Sequence, residues 1–143
     1  MQSKVNEVSK GPRLYRIILP VSDIEQAAQY YTDLLGIEGQ RISPGRHYFD
    51  CGDVILAVYD PRADGDERDA VPLPDHVYFA VPDLEAVYQR AERLGGLSLE
   101  MGDGGKPMGR IETRPWGERS FYMKDSFGNP LCFVDEQTVF AGG

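Results

Sequence analysis

Between Leu14 and Val21 apolar and polar positions alternate, so that Ile17, Leu19 and Val21 fall on one face of an extended strand and Arg16, Ile18 and Pro20 on the other. The period then lengthens. Ile24, Ala27, Ala28, Tyr31 and Leu35 recur at helical spacing. Ser22 or Asp23 stands at the N-cap, Glu25 is placed to complete a capping box on Ser22, and Gly36 follows the last turn. Three further strands are predicted at Glu38 to Ile42, His47 to Cys51 and Val54 to Tyr59, separated by Ser43-Pro44-Gly45-Arg46 and by Gly52-Asp53. The unit is strand, helix, three strands.

The plan returns sixty positions later, where residues 75 to 96 match residues 15 to 36 at Val21/Val81, Asp23/Asp83, Glu25/Glu85, Gln29/Gln89, Leu34/Leu94 and Gly36/Gly96. Val77, Phe79 and Val81 take the helix side of the new strand, and His76, Tyr78 and Ala80 the other. Asp83 caps a helix whose stripe is Leu84, Val87, Tyr88, Ala91 and Leu94, closed by Gly95-Gly96. A glycine-rich loop, Gly102-Asp103-Gly104-Gly105, interrupts the region after the next strand and is expected to form a mobile lid. Strands at Arg119 to Lys124 and Pro130 to Asp135 flank the turn Asp125-Ser126-Phe127-Gly128-Asn129, expected to mirror Gly52-Asp53. The chain divides into a loose tail over 1–13, a first βαβββ module over 14–60, a linker over 61–74, a second module over 75–136 and a C-terminal tail over 137–143, together one domain. The aspartates and prolines of the linker suit a solvated connection.

Composition narrows the function classes. A chain of 143 residues, 41 % hydrophobic, buries enough apolar surface to fold without metals or disulfides. No apolar run approaches the ~20 residues that span a bilayer, and the first residues lack the apolar segment of a signal peptide, so a cytoplasmic location is expected. A formal charge of −8 disfavours nucleic acid and anionic lipid as partners. Cys51 and Cys132 sit in apolar strand patterns in different modules and are expected to remain reduced, unbridged and packed as small hydrophobes.

A duplicated βαβββ plan resembles the vicinal oxygen chelate superfamily, of glyoxalase, bleomycin resistance protein and extradiol dioxygenase type. Local motifs agree. Val21-Ser22-Asp23, Tyr30-Tyr31 and Leu35-Gly36 are similar to that family's first helix, and Pro115-Trp116-Gly117-Glu118-Arg119 with Asp125-Ser126-Phe127-Gly128-Asn129 to its last hairpin. The match runs over roughly residues 14 to 136. The resemblance implies an α+β fold of two tandem βαβββ modules, whose curled mixed sheets form a central pocket with the helices outside. It also implies four metal-ligand positions on the concave faces, which fall here on Arg16, Leu56, His76 and Cys132. Arginine and leucine offer no ligating lone pair, and an imidazole and a thiol alone fall short of the three protein ligands of a catalytic zinc. No metal and no cofactor is therefore expected.

The candidate ligand-binding residues are Arg16, His47, Leu56, His76, Tyr78, Trp116, Tyr122 and Cys132. Tyr78, Tyr122, Trp116 and His47 would wall a flat organic ligand. His76 and Cys132 are the candidate catalytic residues, because a histidine beside a thiol can generate a thiolate. Packing within a pocket wall is the competing role for both. Arg16 must find either an internal carboxylate or an anionic or carbonyl group on a ligand. Three functions follow: a metal-free binding protein for a small organic molecule, a lyase, isomerase or dioxygenase holding a metal through other residues such as His47, His76 and a carboxylate, or a structural or regulatory domain with a filled pocket. The first is preferred, and the resemblance implies a homodimer.

Overall fold

The computed structural model describes residues 11–139, the Asp103 side chain excepted. Most of the 1–13 tail and the last residues of the 137–143 tail lie outside them. The described order is β1 (Arg16–Pro20), α1 (Ile24–Leu35), β2 (Gln40–Ser43), β3 (Arg46–Cys51), β4 (Val54–Tyr59), β5 (Val77–Val81), α2 (Leu84–Arg93), β6 (Glu112–Thr113), β7 (Arg119–Lys124) and β8 (Pro130–Asp135). Two four-stranded sheets result, ordered β1-β4-β3-β2 and β5-β8-β7-β6, neither closed on itself. In each, the strand before the helix returns parallel to the last strand and the rest pair antiparallel. The fold is the expected α+β pair of βαβββ modules.

Each helix is set by its ends. The Asp23 carboxylate accepts from the Gln26 amide at 3.1 Å and Asp83 from Ala86 at 3.1 Å, satisfying amides that have no intrahelical partner. Asp23, not Ser22, is the cap. That places Glu25 one residue short of capping-box geometry, and it pairs with Arg41 at 3.0 Å instead. Gly36 stops α1 with φ near 72°, and Gly95 stops α2 the same way, its amide reaching the Glu92 carbonyl while Gly96 reaches Ala91.

The buried face of α1 is Ile24, Ala27, Tyr30, Tyr31 and Leu34, which replaces the predicted Ala28 and Leu35 with Tyr30 and Leu34. The face turns because α1 packs on more than its own sheet: one apolar core joins Leu19, Phe49, Leu56 and Val58 to Met123, Leu131, Phe133 and α2. The inter-module joint is polar and buried. Tyr31 donates to Asp125 Oδ2 at 2.5 Å, the Phe127 and Asn129 amides donate to Oδ1, and Asn129 Nδ2 donates to the Pro20 carbonyl at 2.7 Å. The turn expected to mirror Gly52-Asp53 is therefore longer and ties the second module to the first.

Three further expectations change. The strand predicted directly after α2 reduces to a bridge between Leu97 and Met123, and the sheet strand equivalent to β2 forms only at Glu112–Thr113, beyond the glycine-rich loop. The linker is solvated along most of its length but anchored at its start and middle. Asp60 is buried and accepts from the Ile24 and Ala63 amides, and Asp64 accepts from Ser43 and from the Gly45 amide. The linker's far end is held by Asn129, whose carbonyl oxygen accepts from the Leu73 amide at 2.9 Å. After β8 the chain makes a short turn over Glu136–Thr138, and Thr138 Oγ1 accepts from the Arg119 amide, so the start of the C-terminal tail is docked.

Candidate functional site

Strand register decides which candidates share a face. Arg16 pairs with Ile55 and Ile18 with Ala57, so the open face of the first sheet, away from the helices, carries Arg16, Ile18, Ile55, Ala57 and, from β3, Tyr48. Leu56 pairs with Ile17 and Phe49 on the helix side and is 2 % exposed. The expected place of Leu56 on the concave face is thus corrected by one residue, a shift that inverts a strand side chain. In the second sheet Tyr78 pairs with Cys132 just as Ile18 pairs with Ala57, so Ala57 is the true counterpart of Cys132. His47 moves too. It pairs with Val58, packs its ring 5.2 Å from Phe49 and accepts from Arg41 Nε, with burial and then the Arg41 charge holding its pKa below the ordinary value.

The second sheet does gather its candidates. His76, Tyr78, Tyr122 and Cys132 occupy its open face, with the His76 ring 5.0 Å from Tyr122 and 6.2 Å from Tyr78. Tyr122, Cys132 and Val134 are buried beneath Met108, which comes from the excursion between α2 and β6. Two cavities flank that contact. One, of about 360 Å³, is lined by Met108, Glu112, Arg114, Trp116 and Tyr122 with Gly102 and Lys106 at its edge. The other, of about 260 Å³, runs past Tyr122 and Met108 to His76, Glu100 and Pro130. Met108 and Tyr122 line both, so the two cavities lie side by side along the sheet as a groove divided at Met108.

Its chemistry is that of a wall rather than a nucleophile. Burial pushes the Cys132 thiol up to about 11, opposed in part by hydrogen bonds with Ser120 and Tyr122. Burial first, then the neighbouring Cys132 and Tyr78, raises the Tyr122 hydroxyl above its ordinary range. No hydrogen bond joins His76 to Cys132 among the described residues, so the thiolate-generating pair is not assembled. Arg16 lies outside the groove, donating to the Tyr15 hydroxyl at 2.8 Å and stacking 4.9 Å from the Tyr15 ring and 5.6 Å from Tyr48. It makes no ion pair with a described carboxylate.

At the four positions implied by the resemblance, Arg16 and Ala57 have no ligating atom, which leaves the His76 imidazole and the Cys132 sulfur as the donors there. Among the described residues no group of three or more His, Cys, Asp or Glu side chains is placed to hold a metal ion.

Alternation along the sequence missed Met108 and Arg114. Arg114 lies two residues beyond Glu112, so strand parity could have placed it on this face, whereas Met108 arrives from a loop whose path no period encodes. Arg114 Nε donates to Ser120 Oγ at 2.9 Å, Nη2 donates to the Ser120 carbonyl at 2.8 Å and the Arg110 carbonyl at 3.3 Å, and the guanidinium stacks 4.9 Å from the Tyr122 ring. Trp116, 56 % exposed at the groove mouth, donates to Glu118 at 2.9 Å. A third cavity, of about 540 Å³, lies where β5 meets the first module, and there Leu56 and Tyr78 are among the lining residues.

The model of the Glyoxalase/Bleomycin resistance protein/Dioxygenase superfamily matches residues 13–133. Solved structures share the fold at low identity. A glyoxalase/bleomycin resistance protein from Albidiferax ferrireducens superposes with a TM-score of 0.67 at 19 % identity, covering 85 % of this chain and 98 % of its own. A lactoylglutathione lyase from Agrobacterium tumefaciens gives 0.64 at 20 % identity over 92 % and 100 % of the two chains. A bleomycin resistance determinant encoded on the transposon Tn5 gives 0.60 at 20 % identity over 88 % and 99 %. No curated protein matches in sequence.

Proposed function

Because the chain belongs to the glyoxalase/bleomycin resistance protein/dioxygenase superfamily, we propose that it is a metal-free binding protein that holds a small organic molecule in the groove on the open face of its second sheet. The supporting observation is the convergence of Trp116, Tyr122 and His76 on two cavities that meet at Met108 and Tyr122. The larger, about 360 Å³, is near the lower end of the roughly 300–1,000 Å³ typical of ligand pockets and the smaller, about 260 Å³, falls just below it; the larger, walled by Trp116 and Tyr122, suits a flat molecule. Binding is preferred to metal-assisted chemistry on the donor set: one imidazole and one thiol, beside an arginine and an alanine, fall short of the three protein ligands of a catalytic zinc. Among the described residues no helix is long and apolar enough to cross a membrane, and the protein is proposed to work in the cytoplasm.

A homodimer is part of the proposal. Both sheets leave one face open, and a second copy would close the groove that a single chain leaves uncovered. Sedimentation equilibrium should find twice the chain mass. The function itself is tested by a thermal-shift screen across cationic drugs, quinones and small acids, since a ligand of the native state raises Tm in proportion to ln(1 + [L]/Kd). A stabilising compound whose effect disappears in Trp116→Ala supports the groove. Stoichiometric zinc, iron, manganese or nickel in protein purified without chelator overturns the metal-free reading.

A further inference from the structure

The groove contains one charge that no ion pair among the described residues neutralises. Of the charged side chains lining the larger cavity, Lys106 and Glu112 pair with each other at 3.6 Å, which leaves Arg114. Arg114 makes no ion pair among the described residues. Its Nε and Nη2 are committed to Ser120 and Arg110, and Tyr122 supports its plane, so the guanidinium is held in one orientation. Its Nη1 has no acceptor among the described residues. Glu118, the next carboxylate along the turn, accepts from the Trp116 indole and is not part of the cavity wall.

We propose that the groove selects a planar organic anion, an aromatic carboxylate or an equivalent enolate, with Arg114 as the receptor for its charge and Trp116, Met108 and Tyr122 as the walls for its apolar body. The inference rests on the groove being the binding site. Its physical content is preorganisation. The protein's own hydrogen bonds already fix the arginine, so an incoming oxygen gains a charge-assisted bond while little side-chain freedom is lost. The overall charge of −8 acts against any anion, but salt screens it over ~8 to 10 Å, whereas Arg114 acts at contact. The acidic surface would slow arrival, and Arg114 would decide residence.

Trp116 is the only tryptophan in the chain, so its fluorescence reports on the groove alone. Wild-type protein is titrated with three probes of one shape, para-ethylbenzoate, para-ethylbenzamide and para-ethylbenzylamine, and melting temperatures are recorded alongside. The benzoate is expected to bind roughly tenfold to a hundredfold more tightly than the neutral amide, the worth of one charge-assisted hydrogen bond, with the amine weakest. Arg114→Met should lower benzoate affinity far more than amide affinity, so that the preference for the anion disappears, while Arg114→Lys should retain part of it. Equal affinity for benzoate and amide, or a preference that survives Arg114→Met, rejects the anion selectivity and leaves the groove as the site. If none of the probes changes Trp116 fluorescence or Tm, the groove itself is rejected, and this inference with it. Should Arg114→Met fail to fold, the wild-type ratio of benzoate to amide decides alone.

Discussion

The two modules share strand order and register, yet the hairpins joining their last two strands end in opposite surroundings. Between β3 and β4 the turn is Gly52-Asp53, exposed. Between β7 and β8 the turn is longer, and its Asp125 is buried, accepting from Tyr31 of the other module and from the amides of Phe127 and Asn129. The open faces differ in the same sense. On the first sheet Arg16 lies exposed between Tyr15 and Tyr48. On the second, Tyr122, Cys132 and Val134 are covered by Met108. The cause is the connection between helix and sheet. From α1 to β2 the chain crosses in a few residues, whereas from α2 to β6 it makes an excursion that follows β7, with the Ser98 amide donating to the Tyr122 carbonyl and the Tyr122 amide to the Met108 carbonyl. A duplicated scaffold thus becomes a structural half and a groove-bearing half through one inserted loop and one lengthened turn.

The sharpest way to break the comparison is at the two turns. Asp125→Ala strands the Tyr31 hydroxyl and two amides in the core and should cost ~3 kcal/mol or more, since each orphaned buried group costs ~1 to 3. Asp53→Ala at the counterpart turn should stay within ~0.5 kcal/mol. Urea unfolding of both variants checks this, and equal losses would show that the second turn is no joint.

The covered face gives the next largest effect. Because the folded Cys132 thiol titrates near 11 against an ordinary 9.0, the native state keeps its proton where the unfolded chain has lost it. The associated stability is complete below pH 9.0 and lost as pH rises toward 11, with a slope approaching ~1.4 kcal/mol per pH unit from this thiol. Met108→Ala, which uncovers the thiol, should flatten that slope, as read from urea midpoints across the alkaline range.

The helix caps should behave alike in both halves. Asp23→Ala and Asp83→Ala each lose one bond to an otherwise unpaired amide and should cost ~1 kcal/mol. Asp83→Ala should leave para-ethylbenzoate affinity unchanged, and a large loss of affinity at normal stability would move Asp83 into the site. The smallest effect belongs to Arg16. It is exposed and stacked on Tyr15, so Arg16→Met should cost less than ~1 kcal/mol of stability. The same variant should leave benzoate affinity unchanged, because Arg16 lines neither cavity of the groove, and a loss of benzoate affinity alone would extend the groove across both open faces.

Much of the fold was legible because it rests on local rules. The sixty-residue echo, the alternation in β1 and β5, the aspartates at the helix starts and the glycines at their ends depend on neighbours within a few positions, and β1, β5 and both helices formed near their predicted bounds. Parity likewise put His76, Tyr78 and Tyr122 on the open face of the second sheet, whereas Trp116, in the turn before β7, was singled out by the resemblance of Pro115-Trp116-Gly117-Glu118-Arg119 to the family's last hairpin. Leu56 and His47 were not, because parity carried across a hairpin holds only if the register is known, and one residue of slip reverses every side chain. What the sequence determined by itself was therefore the duplicated βαβββ plan and the faces of β1 and β5. The tertiary structure alone decided that Asp125 and Asn129 join the modules and that Met108 roofs the second sheet, because those contacts link residues far apart in the chain through loops with no period, where geometry comes from packing and hydrogen-bond satisfaction and not from spacing.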